Sequence, residues 1–331
     1  MIAAPAATVH HRAPLRKRAN AWEGTKELRR LWNSGSSIGP IGRARSRSSS
    51  STAFSSAAAS AAASAAAATT KKVSFEDLGV PKQIVQLLNK AGIKEPSVAQ
   101  LAALPELIDL RNDEDKDDVG SMNSSSSSSS SNSTWERAMP SIAMQSHTGS
   151  GKTLAYLIPI FCDILREEEA MEKMDRDSRR HVNDIRAMIV APSQELAMQI
   201  VRTIEMVLGP YGKDITQQLI GGANAKRQEE GLRKKRPFIV VGTPGRIAEM
   251  SRMGVLQTHR VNTLVIDEAD DLLASNFRRD MARINEHCGK GTRGGRRTII
   301  CSATLKKETL DAYAYAAPDL KLILADYEMN K

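Results

Sequence analysis

Residues 146–153 read Ser146-His147-Thr148-Gly149-Ser150-Gly151-Lys152-Thr153. An apolar stretch, Ser141–Met144, precedes them, and a run with helical periodicity starts at Leu154, so the glycines fall at a strand-to-helix turn. That placement gives the loop its chemistry. Gly149 and Gly151 let backbone N–H groups approach an anion closely, Lys152 can reach β- and γ-phosphates, and the Thr153 hydroxyl suits Mg²⁺. Ser146 occupies the place of the first glycine in the generic pattern, so the loop alone falls one position short. Taken alone, it could be a surface Gly-Ser turn ahead of a helix.

A second cluster removes that alternative. About 115 residues downstream, Asp267-Glu268-Ala269-Asp270 closes the apolar run Thr263-Leu264-Val265-Ile266. Strands of a parallel sheet deliver their last residues to the carboxyl edge, where ligands of open α/β sheets bind. There Asp267 is expected to hold Mg²⁺ through water and Glu268 to polarise the attacking water. An acid cluster by itself often only caps the next helix. Paired with a phosphate loop, it specifies nucleoside triphosphate hydrolysis.

The surrounding pattern fits an α/β fold. Short apolar runs at Ser141–Met144, Ala187–Ala191, Gln217–Ile220, Phe238–Val241, Thr263–Ile266, Thr298–Cys301 and Leu320–Leu324 read as strands. Between them, Lys82–Lys90, Lys152–Leu165, Gln194–Leu208, Ala225–Lys234, Gly245–Ser251 and Glu308–Ala316 read as helices. The alternation predicts one mainly parallel sheet of about seven strands with helices on both faces. This P-loop NTPase domain spans 73–331, with no second complete domain.

Two segments look unable to fold. Residues 1–72 hold 12 Lys/Arg against two acids, Glu23 and Glu27, a net +10. That leaves 35 bases against 36 acids in the other 259 residues, so the overall +9 belongs to the leader. Its Ser, Ala and Arg richness predicts a disordered transit peptide, for a plastid in preference to a mitochondrion. The alternatives are a basic tail or a nuclear patch at Arg16-Lys17-Arg18, with a nuclear or cytoplasmic protein. The second segment, 111–136, is acidic at first and then unbroken serine from Ser124 to Ser131; it predicts a solvated insertion in a surface loop. A charged stretch, Arg166 to Asp184, reads as a further extension, part helix and part loop.

Other classes are excluded by what the chain contains. Cys162, Cys288 and Cys301 have neither ligand spacing nor a paired framework, which fits a reducing compartment. The longest apolar run, Leu154 to Cys162, is nine residues and contains Pro159. A bilayer span needs about 20, so no membrane partner is expected.

Six further segments, in order, resemble the first RecA-like domain of DEAD-box RNA helicases, from about Phe75 to Ala325. Gly92-Ile93-Lys94-Glu95-Pro96-Ser97-Val98-Ala99-Gln100 is similar to that family's adenine-reading Q motif, with Phe75 standing 17 residues before Gly92. Pro192-Ser193-Gln194-Glu195-Leu196-Ala197 resembles motif Ia; Gly221-Gly222 and Thr243-Pro244-Gly245-Arg246 follow; Ser302-Ala303-Thr304 resembles motif III. The Gly221–Asn224 and Val241–Glu249 stretches look similar to chloroplast DEAD-box helicases of plants and algae.

The resemblance implies a set of roles. Gln100 bonds the adenine edge and Phe75 stacks on its ring, joining Ser146, Thr148, Gly149, Ser150, Gly151, Lys152 and Thr153 in the ATP site. Mg²⁺ sits between Thr153 and Asp267, and Glu268, Lys152 and Asp267 carry catalysis. Pro192, Gln194, Gly221, Gly222, Thr243, Gly245 and Arg246 line the RNA backbone, while Asp270, Ser302 and Thr304 couple the two sites. Backbone amides and helix N-termini hold phosphates without reading bases, so sequence-tolerant RNA binding is expected. For the basic quartet Arg233-Lys234-Lys235-Arg236 a solvated helix end is at least as good a reading. Gln194 stands where the family has arginine, Ile93 for an aromatic, Ala99 for isoleucine and Ser146 for alanine; no catalytic group is lost.

The resemblance implies a second RecA-like domain with an arginine finger, and the expectation is that the stretch up to Lys331 holds none. Such a finger is worth about 10³–10⁵ in rate. The expectation is a monomeric chain that by itself binds ATP weakly, hydrolyses it slowly and needs a second RecA-like domain, in cis or in trans, to unwind RNA. A non-catalytic RNA- or protein-binding module is the competing reading. A GTPase is disfavoured, because Asn89-Lys90-Ala91-Gly92 lacks the acid that reads guanine.

Overall fold

The computed structural model describes residues 72–108, 141–173, 185–273, 276–292, 295–314, 317 and 320–325. The expected leader up to residue 71 and the 111–136 insertion lie outside the described residues. Seven strands form one sheet: β1 (Ser141–Gln145), β2 (Ala187–Val190), β3 (Thr216–Leu219), β4 (Ile239–Gly242), β5 (Thr263–Ile266), β6 (Arg297–Ser302) and β7 (Leu320–Leu324). Their order is β3-β4-β2-β5-β6-β1-β7, and every pairing is parallel. All carboxyl ends therefore emerge on one edge.

The helices are α1 (Lys82–Lys90), α2 (Val98–Leu107), α3 (Lys152–Lys173), α4 (Gln194–Leu208), α5 (Pro210–Ile215), α6 (Ala225–Lys235), α7 (Pro244–Arg252), α8 (Ala269–Leu272), α9 (Arg278–His287) and α10 (Lys307–Ala314). Alternation along the strands sends side chains to two cores. Ile142, Met144, Ile189 and Ile239 pack with Leu104, Leu157, Phe161 and Ile200 from α2, α3 and α4. On the other face Ala143, Met188 and Val240 pack with Ile247, Met250, Leu272 and Ile284 from α7, α8 and α9. Central strands β2, β4 and β5 are buried along their whole length, as a sheet covered on both faces requires.

Three features of the helices have local causes. Helix α3 runs on past Leu165 to Lys173, into the stretch read as part helix, and its charged turns find partners: Arg166 pairs with Asp163 at 3.6 Å, Glu167 with Arg186 at 2.7 Å, and Glu168 accepts from Tyr211. Helix α2 starts at a capping box, in which the Ser97 hydroxyl accepts from the Gln100 amide and the Gln100 side chain accepts from Ser97 N. Its apolar residues are not confined to one stripe and Pro105 interrupts it, so periodicity did not reveal it. Helix α9 has only Met281 and Ile284 as buried apolar anchors among charges. No helix among the described residues is long and apolar enough to cross a membrane.

Candidate nucleotide and RNA site

The strand order divides the carboxyl edge. The phosphate loop follows β1, Ser302-Ala303-Thr304 ends β6 and the acid cluster follows β5, so these three share one half of the edge. Pro192 follows β2, Gly221-Gly222 follow β3 and Thr243-Pro244-Gly245-Arg246 follow β4, on the other half. The ladders run on into the loops and fix them: Ser146 N bonds Ser302 O at 3.1 Å, Asp267 N bonds Val190 O at 3.0 Å, and Ala191 N bonds Gly242 O at 3.0 Å. Thr243 N bonds Leu219 O at 3.0 Å. Gly242 itself admits no side chain, since a Cβ there would meet Leu219 O at 2.2 Å.

In the phosphate loop both glycines adopt left-handed backbone, Gly149 at φ +82° and Gly151 at φ +90°. The Lys152 ammonium donates to Ser146 O at 2.5 Å. Thr148 and Gly149 are exposed at the turn, while the buried hydroxyls of Ser146 and Ser150 find no partner in the protein. Unpaired buried hydroxyls, an ammonium and open backbone turns suit a polyanionic ligand. Gln100, 2% exposed, donates from Nε2 to Gly151 O at 3.2 Å, which fastens the Q-motif segment to the loop. Phe75 is 1% exposed and packed within the core; stacking on a base would require its ring face to be uncovered.

Across the sheet, Asp267 is 3% exposed. Burial raises its carboxyl above the usual range, opposed by a hydrogen bond from Tyr156, the Lys152 charge and the Glu268 N–H. The Tyr156 hydroxyl donates to Asp267 Oδ2 at 2.8 Å, and Glu268 N donates to Oδ1 at 3.1 Å. Glu268 sits at φ 51°, a left-handed conformation that costs a non-glycine residue about 1–3 kcal/mol. Its carboxyl is also raised, first by burial and then by Asp267 and Asp271, with Lys152 opposing. A raised carboxyl beside a cation suits a group that handles water protons.

Thr153 and Asp267 offer oxygen donors, the chemistry Mg²⁺ prefers. Among the described residues no group of three or more His, Cys, Asp or Glu side chains could cage a metal alone. Mg²⁺ is commonly held by one or two protein oxygens together with substrate phosphates.

Asp270 accepts from Thr304 Oγ1 at 2.9 Å, tying the acid cluster to the end of β6. Thr304 N donates in turn to Ser302 Oγ at 3.2 Å. Burial pushes the Asp270 carboxyl up, but hydrogen bonds from Ser302, Thr304 and backbone N–H groups outweigh it and hold it low. The three expected coupling residues therefore form one bonded unit.

On the other half, the Gln194 amide lies against the glycine pair: a Cβ on Gly221 would be 3.4 Å from its Nε2 and one on Gly222 3.8 Å from both amide atoms. Arg246 folds back, donating to Ala223 O at 3.3 Å and pairing with Glu249 at 3.2 Å, while its buried Nη1 has no partner. Gly245 is exposed at the start of α7 and Thr243 is half-buried. The basic quartet is a helix end: Arg233 pairs with Glu229 at 2.7 Å, Lys234 pairs with Glu230, and Lys235 bonds Lys213 O at 3.2 Å. Sequence reasoning missed Tyr156. Its signal was present, a polar-tipped aromatic four residues after Lys152 in an otherwise apolar run.

A family profile described as DEAD/DEAH box helicase matches residues 130–312, more than half of the chain. DEAD-box ATP-dependent RNA helicase 47A of Oryza sativa subsp. japonica is 44% identical over 245 residues, 70% of this chain and 37% of that protein. DEAD-box ATP-dependent RNA helicase 47, mitochondrial, of Arabidopsis thaliana is 43% identical over 244 residues, 70% of this chain and 38% of that protein. The chain thus spans little more than a third of the length of these relatives. A crystal structure of a DEAD box protein from Methanococcus jannaschii matches at TM-score 0.56 and 26% identity, over 78% of this chain and 57% of that one.

The plastid destination expected from the leader is corrected by these relatives, since the Arabidopsis protein is named mitochondrial. Basic, Ser-rich, acid-poor leaders serve both organelles, so composition could not separate them. With the family profile, the plant relatives and the parallel sheet all in agreement, the chain belongs to the DEAD-box ATP-dependent RNA helicase family and carries its first RecA-like domain.

Proposed function

We propose that this domain binds Mg-ATP over β1, β6 and β5, binds the backbone of single-stranded RNA over β3, β4 and β2, and couples hydrolysis to duplex unwinding when a second RecA-like domain completes it. The observation that carries the reading is the bond from Tyr156, on the phosphate-loop helix, to Asp267 at 2.8 Å, which brings loop and acid cluster into one unit. Lys152 would leave Ser146 O for the β/γ-phosphates, and Gln100 would present its remaining amide hydrogen to the adenine edge. Bound Mg²⁺, held by Thr153 and Asp267, would neutralise charge developing on the phosphates. Glu268 would orient the attacking water and accept its proton. The Asp270–Thr304 bond would report the state of that site to the end of β6.

On the RNA half, the open backbone at Gly221, Gly222, Thr243 and Gly245 supports phosphate contacts without base reading, alongside Pro192, Gln194 and Arg246. The names of the relatives support an RNA substrate, and the Arabidopsis name supports a mitochondrial address for this chain. The test is Mg-ATP hydrolysis by the 331-residue chain, with and without single-stranded RNA, beside Glu268→Gln. The expected result is saturable ATP binding with slow turnover, rising when the second domain is supplied in trans. Failure to bind ATP at all would sink the reading, and so would turnover that survives Glu268→Gln.

A further inference from the structure

We propose that Tyr156 is a positioning residue that fixes the Asp267 carboxylate for Mg²⁺, an inference that rests on the nucleotide-site reading above. Tyr156 lies on α3, four residues after Lys152 and three after Thr153, hence on the face of the helix that carries the end of the phosphate loop. Its ring is completely buried, and its hydroxyl donates to Asp267 Oδ2 at 2.8 Å. That bond ties the helix that carries Thr153 to Asp267, although the strands that lead to the two residues are separated by β6.

The energetics favour a directed role over incidental packing. The run Leu154 to Cys162 is otherwise apolar, and phenylalanine would fill the same space without bringing a polar atom into the core. A buried hydroxyl is tolerated because it is matched to a buried acceptor. The Glu268 N–H donates to Asp267 Oδ1 at 3.1 Å, so the Tyr156 bond to Oδ2 fixes the torsion of the carboxylate from the opposite side. Partners of this kind orient a metal-holding carboxylate, and their loss typically weakens metal affinity about 10–100-fold.

The experiment is Mg²⁺ titration of the binding of a fluorescent ATP analogue to the full chain, for wild type, Tyr156→Phe, Asp267→Asn and the double variant. In Tyr156→Phe the Mg²⁺ half-saturation should rise about tenfold. Analogue binding in EDTA should stay within about twofold of wild type, because packing is preserved. In the Asp267→Asn background the Phe substitution should add nothing, the non-additivity expected of residues acting through one another. A matching half-saturation in wild type and Tyr156→Phe overturns the inference and leaves the nucleotide site standing. Absence of Mg²⁺-dependent binding in wild type overturns both. If Tyr156→Phe does not fold, 3-fluorotyrosine placed at position 156 keeps the hydroxyl. Its fluorine resonance should then shift when Mg²⁺ is added to the nucleotide-bound chain, and no shift overturns the inference.

Discussion

Gln100 donates its side-chain N–H to the carbonyl of Gly151 at 3.2 Å, while its Oε1 accepts from Ser97 N at 3.0 Å. One amide thus serves as the N-terminal cap of α2 and as a clasp on the phosphate loop. The loop has no room to spare there. A Cβ on Gly151 would stand 2.4 Å from Ser97 Oγ and 2.8 Å from Gln100 Nε2, on a residue whose φ is +90°. Gly151→Ala should therefore cost about 1–3 kcal/mol through strain and weaken nucleotide binding together with the cap. Gly149→Ala is the control. Its φ of +82° is also unfavourable, but a Cβ there meets nothing within 4 Å, so thermal denaturation should show the smaller loss.

Asp267 pits stability against function. Burial raises its carboxyl in the folded state, against the Tyr156 bond and the Lys152 charge. A carboxyl raised on folding binds its proton more tightly in the native state, so stability declines as pH climbs from the unfolded pKa towards the folded one. At neutral pH the buried charge is a penalty. Asp267→Asn should then raise the urea midpoint, and the gain should be larger at roughly pH 7.5 than at roughly pH 4. The same change should abolish Mg²⁺-dependent nucleotide binding. A midpoint that falls at neutral pH would show that the Tyr156 and Glu268 N–H bonds outweigh desolvation.

Asp270 behaves in the opposite sense. Burial pushes it up, but the Ser302 and Thr304 hydroxyls and backbone N–H groups prevail and hold it low. A depressed carboxyl lends stability above its unfolded pKa and loses it as pH falls through the folded one. Thr304→Val removes the 2.9 Å bond and should cost about 0.5–1 kcal/mol at neutral pH, modest because the pair is solvated. In acid the two proteins should converge. Urea titrations of both chains across that range check the sign.

The sequence exposed these sites unevenly, for physical reasons. The central strands β2, β4 and β5 were readable because buried parallel strands are uninterrupted apolar runs, and no expected strand end moved by more than one residue. The phosphate loop and the Asp267 cluster were readable because their chemistry needs particular residues at fixed offsets from a strand end. Helix α2 was hidden, since Val98 to Leu107 buries Ala99, Ala103, Leu104 and Leu107 together with Gln100 and so shows no polar stripe. Arg246 could be placed on its loop but not aimed; only the fold brings Ala223 and Glu249 to its guanidinium. The bond from Tyr156 to Asp267 spans 111 residues, and no local pattern encodes such a pair.

Arg297 gives the sharpest case of a residue whose role depends on distant partners. It is the first residue of β6, yet its side chain is 2% exposed. Its guanidinium meets Asp163 Oδ2 at 2.5 Å, Leu107 O at 2.9 Å and Thr263 Oγ1 at 3.1 Å, joining α3, the end of α2 and β5. Removing one member of a buried pair leaves the other charge uncompensated, at a cost of about 3–5 kcal/mol. Asp163 keeps a quarter of its side chain exposed, so Arg297→Met belongs near the low end of that range, about 3 kcal/mol. Adding Asp163→Leu should recover part of the loss, because an apolar pair of similar volume replaces the ion pair. The cluster sits at the amino edge of the sheet, away from the phosphate loop, so folded Arg297→Met should bind the ATP analogue as wild type does. Urea unfolding beside analogue binding separates the two effects, and a variant of normal stability with weakened binding would place Arg297 in the nucleotide site's support rather than in the fold's.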